Sequence, residues 1–110
     1  MSTAYDRDRL VELFGDDPVT LAEIERDFLD TARDAAREIG GTDELAAIAR
    51  AAHRLKGASG MIGATTLHQI AAAMEHTAKA GDLMGVRRME EPLRREVLRV
   101  AAQAGTRTLP

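Results

Sequence analysis

PVTLAEIERDFLDTARDAAREIGG, residues Pro18 to Gly41, is the stretch whose reading decides the fold. Leu21, Ile24, Phe28, Ala32, Ala35 and Ile39 recur at three- and four-residue spacing, which puts all six on one face of an α-helix; a strand would need strict alternation. Asp16-Asp17-Pro18 starts this helix: the Asp17 carboxylate can accept from the free N–H groups of the first turn, and Pro18 has its φ preset for the first helical position. Gly40-Gly41 ends it. The opposite face carries Glu23, Arg26, Asp27, Asp30, Asp34 and Glu38 and reads as solvated surface. A helix with a single apolar stripe must bury that stripe against something, so the neighbouring segments decide the architecture.

Upstream, Leu10, Val11, Leu13 and Phe14 end at Gly15 and predict a short helix, with residues 1–5 expected to fray. Downstream, Thr42 is expected to cap a third helix, with Asp43 and Glu44 in its first turn facing the positive end of the dipole. Leu45, Ile48, Ala52, Leu55 and Ile62 form its core stripe, and it should run to about Ser59 or Met61. Gly60 and Gly63 bracket its end, and Ala64-Thr65-Thr66 offers a cap for a fourth helix. The core face of that helix is Leu67, Ile70, Ala71, Met74 and Ala78, and it stops near Gly81. So short a connection makes the third and fourth helices antiparallel neighbours.

Asp82 can cap a fifth helix whose stripe is Val86, Met89, Leu93, Val97 and Val100. Pro92 removes a hydrogen bond to the Arg88 carbonyl, at ~3 kcal/mol in an ordinary helix interior. The apolar spacing continues through it, which predicts a kink and not a chain break. Residues 104–110 carry no pattern and are expected to fray. The expected fold is all-α: an antiparallel up-down-up-down four-helix bundle with a short additional N-terminal helix, one domain over residues 1–110.

Composition supports helices over sheets. Among 110 residues, 45% hydrophobic, the aromatics are Tyr5, Phe14 and Phe28 alone, so Ala, Leu, Ile and Met must fill the one core that a chain of this length can build. The absence of cysteine excludes disulfides, thiolate catalysis and cysteine-based metal sites. MSTAYDRDR has charge where a secretory signal needs an apolar run, and no stretch approaches the ~20 apolar residues of a membrane span, so a cytoplasmic protein without membrane contact is expected. Residues 1–44 hold 13 acids and 5 Arg, whereas residues 45–110 hold 5 acids and 10 Lys or Arg. The second half is therefore basic, but it has no aromatic stacking set and no zinc-finger or RNA-recognition signature, so nucleic acid is not an expected partner. Four helices suffice for a monomeric core, and a monomer is expected.

The chemistry concentrates in AAHRLKGASGMIGA, Ala51 to Ala64. His53, Lys56, Gly57 and Gly60 lie on one strip of the third helix, off its core stripe. Arg50, Arg54 and Lys56 surround the histidine with cations that repel a metal ion and attract an anion, which favours a phosphoryl group. A neutral imidazole keeps a lone pair on one ring nitrogen that can attack phosphorus. Each glycine inside a helix costs ~1 kcal/mol relative to alanine. Close approach of a partner is one reason to bear that cost; tight helix packing is the other, and it suits Gly60 better than Gly57. A His53, His68 and Glu75 metal site is conceivable, as is a metal-dependent hydrolase built on it, but the nearby cations oppose both. His68 and His76 read as surface residues, Met61 and Met74 as core filler.

His53, Leu55, Lys56 and Gly57, followed after five residues by Gly63-Ala64, resemble the H-x-L-K-G-x5-G-A signature of histidine-containing phosphotransfer (HPt) domains of two-component phosphorelays. The resemblance extends over nearly the whole chain. It implies that His53 is phosphorylated on its outward Nε2 and exchanges the group with an aspartate of a receiver domain. By the same resemblance Lys56 neutralises phosphate charge and Gly57 leaves room for the receiver; Arg50, Arg54 and Gly60, beside them on the third helix, are expected to border the docking surface. Glu75, 22 positions after His53, falls where family members often carry a glutamine or other polar residue bonding the imidazole. A carboxylate there would fix the tautomer that leaves Nε2 free, but it adds a negative charge beside the phosphoryl group.

No cofactor is implied for this chain; Mg²⁺ is expected on the partner receiver. Without a Walker A loop or a kinase glycine-rich loop, no autonomous ATP-dependent kinase activity is expected. The alternative is a helical interaction module that binds and regulates a receiver or histidine kinase without being phosphorylated.

Overall fold

A computed structural model describes residues 3–108 and shows five helices: α1 (Arg7–Phe14), α2 (Pro18–Gly40), α3 (Leu45–Met61), α4 (Thr65–Lys79) and α5 (Leu83–Thr108). No strand occurs among the described residues. α2 starts as its sequence dictates. Asp17 accepts from the Thr20 backbone N–H at 3.2 Å and from the Thr20 hydroxyl at 2.7 Å, with Pro18 in the first turn. The Gly41 N–H closes the other end on the carbonyls of Arg37 and Glu38. Asp6 caps α1 through the Arg9 N–H, and Asp82 accepts from the Gly85 N–H at 2.8 Å at the start of α5.

Two expected caps are corrected. Glu44 holds the N-cap position of α3 and makes no side-chain cap bond, while the Thr42 hydroxyl, two residues before it, accepts from the Glu44 N–H. Asp43 and Glu44 therefore precede the helix. Ala64 stands at the N-cap of α4, again without a side-chain bond.

α2, α3, α4 and α5 form a closed ring in which each helix contacts the next and α5 returns to α2; α1 lies against α2. The resulting bundle is 44 Å long and 23 Å across. The α3–α4 pairing is the most extensive of these contacts. Alanines make that closeness possible: Ala51 and Ala52 on α3 and Ala71 on α4 are fully buried, and side chains this small let backbones approach. Leu21, Ile39, Ile48, Leu55, Leu67, Met74, Val86 and Val100 fill the interior between them. α5 continues through Pro92 without a break, its stripe extending to buried Leu93, Val97 and Val100.

The expected fraying of residues 1–5 and 104–110 is also corrected where the residues are described; residues 1, 2, 109 and 110 lie outside the described residues. Gln103 of α5 accepts from the backbone N–H groups of Ala4 and Tyr5 and donates to the Tyr5 carbonyl at 3.1 Å. Tyr5 is buried, and its hydroxyl donates to the buried Glu25 carboxylate of α2. Helix α5 runs on to Thr108 and buries Ala104. One polar side chain thus ties the two termini together, which no periodicity announces.

Gly63 shows why α1 fits where it does. Its φ is 69°, and a Cβ added there would stand 2.7 Å from the Asp6 Cβ. The Asp6 N–H donates to the Ile62 carbonyl at 3.1 Å, so the start of α1 is laid directly on the α3–α4 turn. Arg87 performs the matching task at the other end of the bundle. It reaches from α5 to the carbonyls of Ile39 and Thr42 and to the Asp43 carboxylate, holding the α2–α3 connection.

Candidate functional site

His53 projects from the middle of α3, and the close α3–α4 pairing brings Glu75 opposite it. The His53 side chain is 68% exposed; that of Glu75 is 7% exposed. A buried carboxylate is stable only if its oxygens are satisfied, and three cationic or ring groups do this. Lys56 Nζ lies 2.6 Å from Glu75 Oε1, while His53 Nδ1 at 2.9 Å and Lys79 Nζ at 3.1 Å share Oε2. Together they hold the Glu75 pKa down at about 2, the Lys56 contact foremost and Lys79 next, with His53 adding a smaller share against the opposing effect of burial.

An ionised carboxylate only accepts hydrogen bonds, so the His53 nitrogen facing it must carry the proton. The tautomer follows from this. In the neutral ring Nδ1–H donates to Glu75, and Nε2 keeps its lone pair on a ring that is mostly open to solvent.

The same contacts link Glu75 to acid stability. Its folded pKa lies below the ordinary 4.5, so its stabilising contribution is complete above about pH 4.5 and is lost as the pH falls towards about 2. Glu75→Gln should remove this part of the acid limb. Urea midpoints measured between pH 5 and pH 2.5 should fall less steeply in the variant than in the wild type; parallel curves would contradict the site as described.

The remaining predicted residues divide by position. Arg50 is exposed beside His53, and Arg54 is bonded to Glu38 of α2 at 2.7 Å. Gly57 is open: a Cβ added there would meet nothing within 4 Å. Gly60 is half-buried, and its Cβ would come 3.3 Å from Nδ1 of His68, so a contact inside the chain accounts for its lack of a side chain. His68 is corrected from a surface residue to a half-buried one whose ring nitrogen bonds the Lys56 carbonyl at 2.8 Å, pinning α4 to α3. His76 is exposed; Met74 is buried, but Met61, expected in the core, is 49% exposed. Among the described residues no group of three or more His, Asp or Glu side chains could hold a metal ion. Nor is any helix there long and apolar enough to cross a membrane.

Lys79 escaped the sequence reading. Its signal was present all the same: Glu75 and Lys79 stand at i and i+4 with the acid first, the favourable orientation of a helical ion pair. With Ala49, Arg50, Arg54 and Glu75 it lines an open groove of about 470 Å³ beside His53. The site therefore presents an exposed nucleophilic nitrogen, a fixed tautomer and several cations around one buried carboxylate. Such a set can accept an anionic electrophile and return it.

Comparison with known proteins adds one match. A family model described as Hpt domain matches residues 10–103. Searches of curated proteins and of solved structures found no match.

Proposed function

We propose, from the premise that this chain belongs to the Hpt domain family, that it accepts a phosphoryl group on Nε2 of His53 and exchanges it with the aspartate of a receiver domain in a His–Asp phosphorelay. The observation that carries this reading is the bond from His53 Nδ1 to the Glu75 carboxylate, which leaves the exposed Nε2 as the nucleophile.

Transfer towards His53 proceeds by attack of the Nε2 lone pair on phosphorus. The N–P bond forms, the P–O bond to the aspartyl carboxylate breaks, and that carboxylate leaves with the electron pair. No proton needs to move. The ring becomes positively charged, and its Nδ1–H donates to the Glu75 carboxylate already in place. The reverse reaction regenerates the aspartyl phosphate.

Lys56 has three N–H donors and directs one to Glu75, so two remain for phosphoryl oxygens. Mg²⁺ belongs to the receiver in this scheme, and the chain itself uses no cofactor. Receiver docking centres on Gly57, with Arg50 and Arg54 on one flank. Phe14 and Met61, exposed at 41% and 49% on the α1 side, supply apolar contact beyond it.

The test is incubation of the protein with a phosphorylated receiver, isotopically labelled, in the presence of Mg²⁺. The label should appear on this chain as acid-labile, base-stable phosphate. A stable complex formed without such label would overturn the transfer reading in favour of a module that binds and regulates.

A further inference from the structure

We propose that Lys79 is a positioning residue whose ammonium cancels the charge Glu75 brings to the site, so that His53 meets an incoming phosphoryl group in a net positive field. The inference rests on the reading of His53 as the phosphoacceptor, and it addresses the glutamate by which the site departs from the expected pattern.

The charges bonded to the Glu75 carboxylate can be counted apart from Arg50, which is exposed beside His53, and Arg54, which is paired with Glu38. Glu75 contributes one negative charge, Lys56 and Lys79 one positive charge each, and the attacking form of the imidazole none. This bonded cluster is then net positive by one charge. Without Lys79 it would be neutral, with a buried carboxylate next to the ring that an anion has to approach. A glutamine at position 75 with Lys56 alone would also be net positive by one. The Glu75–Lys79 pair is thus charge-equivalent to a neutral amide, and the geometry keeps the two together: Lys79 bonds the same oxygen that accepts from His53 Nδ1.

Transfer changes the balance. The phosphoryl group adds one net negative charge, as two on its oxygens against one positive on the ring. The ring cation then competes for Oε2, and the exposed ammonium of Lys79 is free to turn towards the phosphoryl oxygens across the groove it lines. Lys56 remains on Oε1, on the other side of the carboxylate.

A charge-matched pair of variants separates this role from a structural one, with potassium phosphoramidate as the donor so that no receiver is involved. Lys79→Met should slow acid-labile labelling of His53 on the order of tenfold, as removal of one unit charge close to a dianion implies. Lys79→Arg, which keeps the charge, should stay within about threefold of wild type on the same electrostatic ground. The gap between Lys79→Met and wild type should shrink at 1 M ionic strength, where the screening length falls to about 3 Å.

The proposal is overturned if Lys79→Met labels as fast as wild type, if its gap from wild type is undiminished at high ionic strength, or if phosphoramidate leaves His53 unlabelled. Circular dichroism confirms that each variant keeps its helices, and Lys79→Arg decides the question should Lys79→Met lose them. Failure of the receiver assay together with success here would sink the phosphorelay reading and leave the role of Lys79 standing.

Discussion

His53→Ala should accept no phosphoryl group from either a phosphorylated receiver or phosphoramidate, and its thermal unfolding should stay close to that of wild type. The loss should be complete because the proposed reaction forms a bond to Nε2 and no neighbouring histidine is placed to replace it. His68 is half-buried with one ring nitrogen on the Lys56 carbonyl, and His76 is exposed on α4 without a carboxylate bonded to its ring among the described residues. Neither has the ionised partner that fixes the His53 tautomer. Stability is spared for three reasons. The removed side chain is 68% exposed, alanine is the best helix former, and Glu75 keeps both lysines after the ring is gone. Surface substitutions of this kind usually change stability by less than about 0.5 kcal/mol. Acid-labile label persisting in His53→Ala, measured by base-stable phosphate and located by mass spectrometry, would place the acceptor elsewhere and sink the mechanism.

The bundle was legible because its signals are local and periodic. The stripe from Leu21 to Ile39 and the caps at Asp17 and Asp82 needed only their own neighbours, and the structure places them as their spacing requires. What escaped depends on side chains meeting across helices. Gln103 tying Ala4 and Tyr5, Tyr5 reaching Glu25, and Arg87 reaching Ile39 and Thr42 are contacts between residues far apart in sequence. No helical period encodes them, and so termini without an apolar pattern looked frayed.

The site divides in the same way. The strip carrying His53, Lys56 and Gly57 could be drawn from spacing alone, because all three ride on α3. The nearness of Glu75 came from the family resemblance, since nothing in its own helix points to α3. The clustering of two lysines on its oxygens is a product of the α3–α4 approach, although half of it, the Glu75–Lys79 pair, was written at i and i+4. Gly57 and Gly60 differ in space in the sense their sequence positions suggested, one facing open solvent and the other packed on a histidine ring.

That difference makes Gly57→Leu a test of docking with two opposite results in one variant. A glycine in an exposed helix interior is less favourable than a straight-chain or leucine residue by about 0.8 kcal/mol, and position 57 is exposed, with no atom within 4 Å of an added Cβ. The variant should therefore be more stable than wild type, with its melting temperature raised by about 4 °C in a domain of this size. Transfer from a receiver should move the other way. In the proposed transfer the phosphorus passes between His53 Nε2 and a carboxylate oxygen held on a second protein, and Gly57 lies about one helical turn along α3 from His53. A leucine there holds the partner off, and a misplacement of about 1 Å can lower such a rate about 100-fold. Phosphoramidate is too small to be stopped in this way, so its labelling of His53 should fall far less than transfer from the receiver. Gly57→Ala, with one carbon in place of four, should lie between. If Gly57→Leu transfers as fast as wild type while gaining stability, the open strip is not where the receiver lands; if it loses stability, the space above Gly57 is not open. The combination of a firmer bundle and a blocked exchange follows only if the glycine serves the partner at the expense of the helix that carries it.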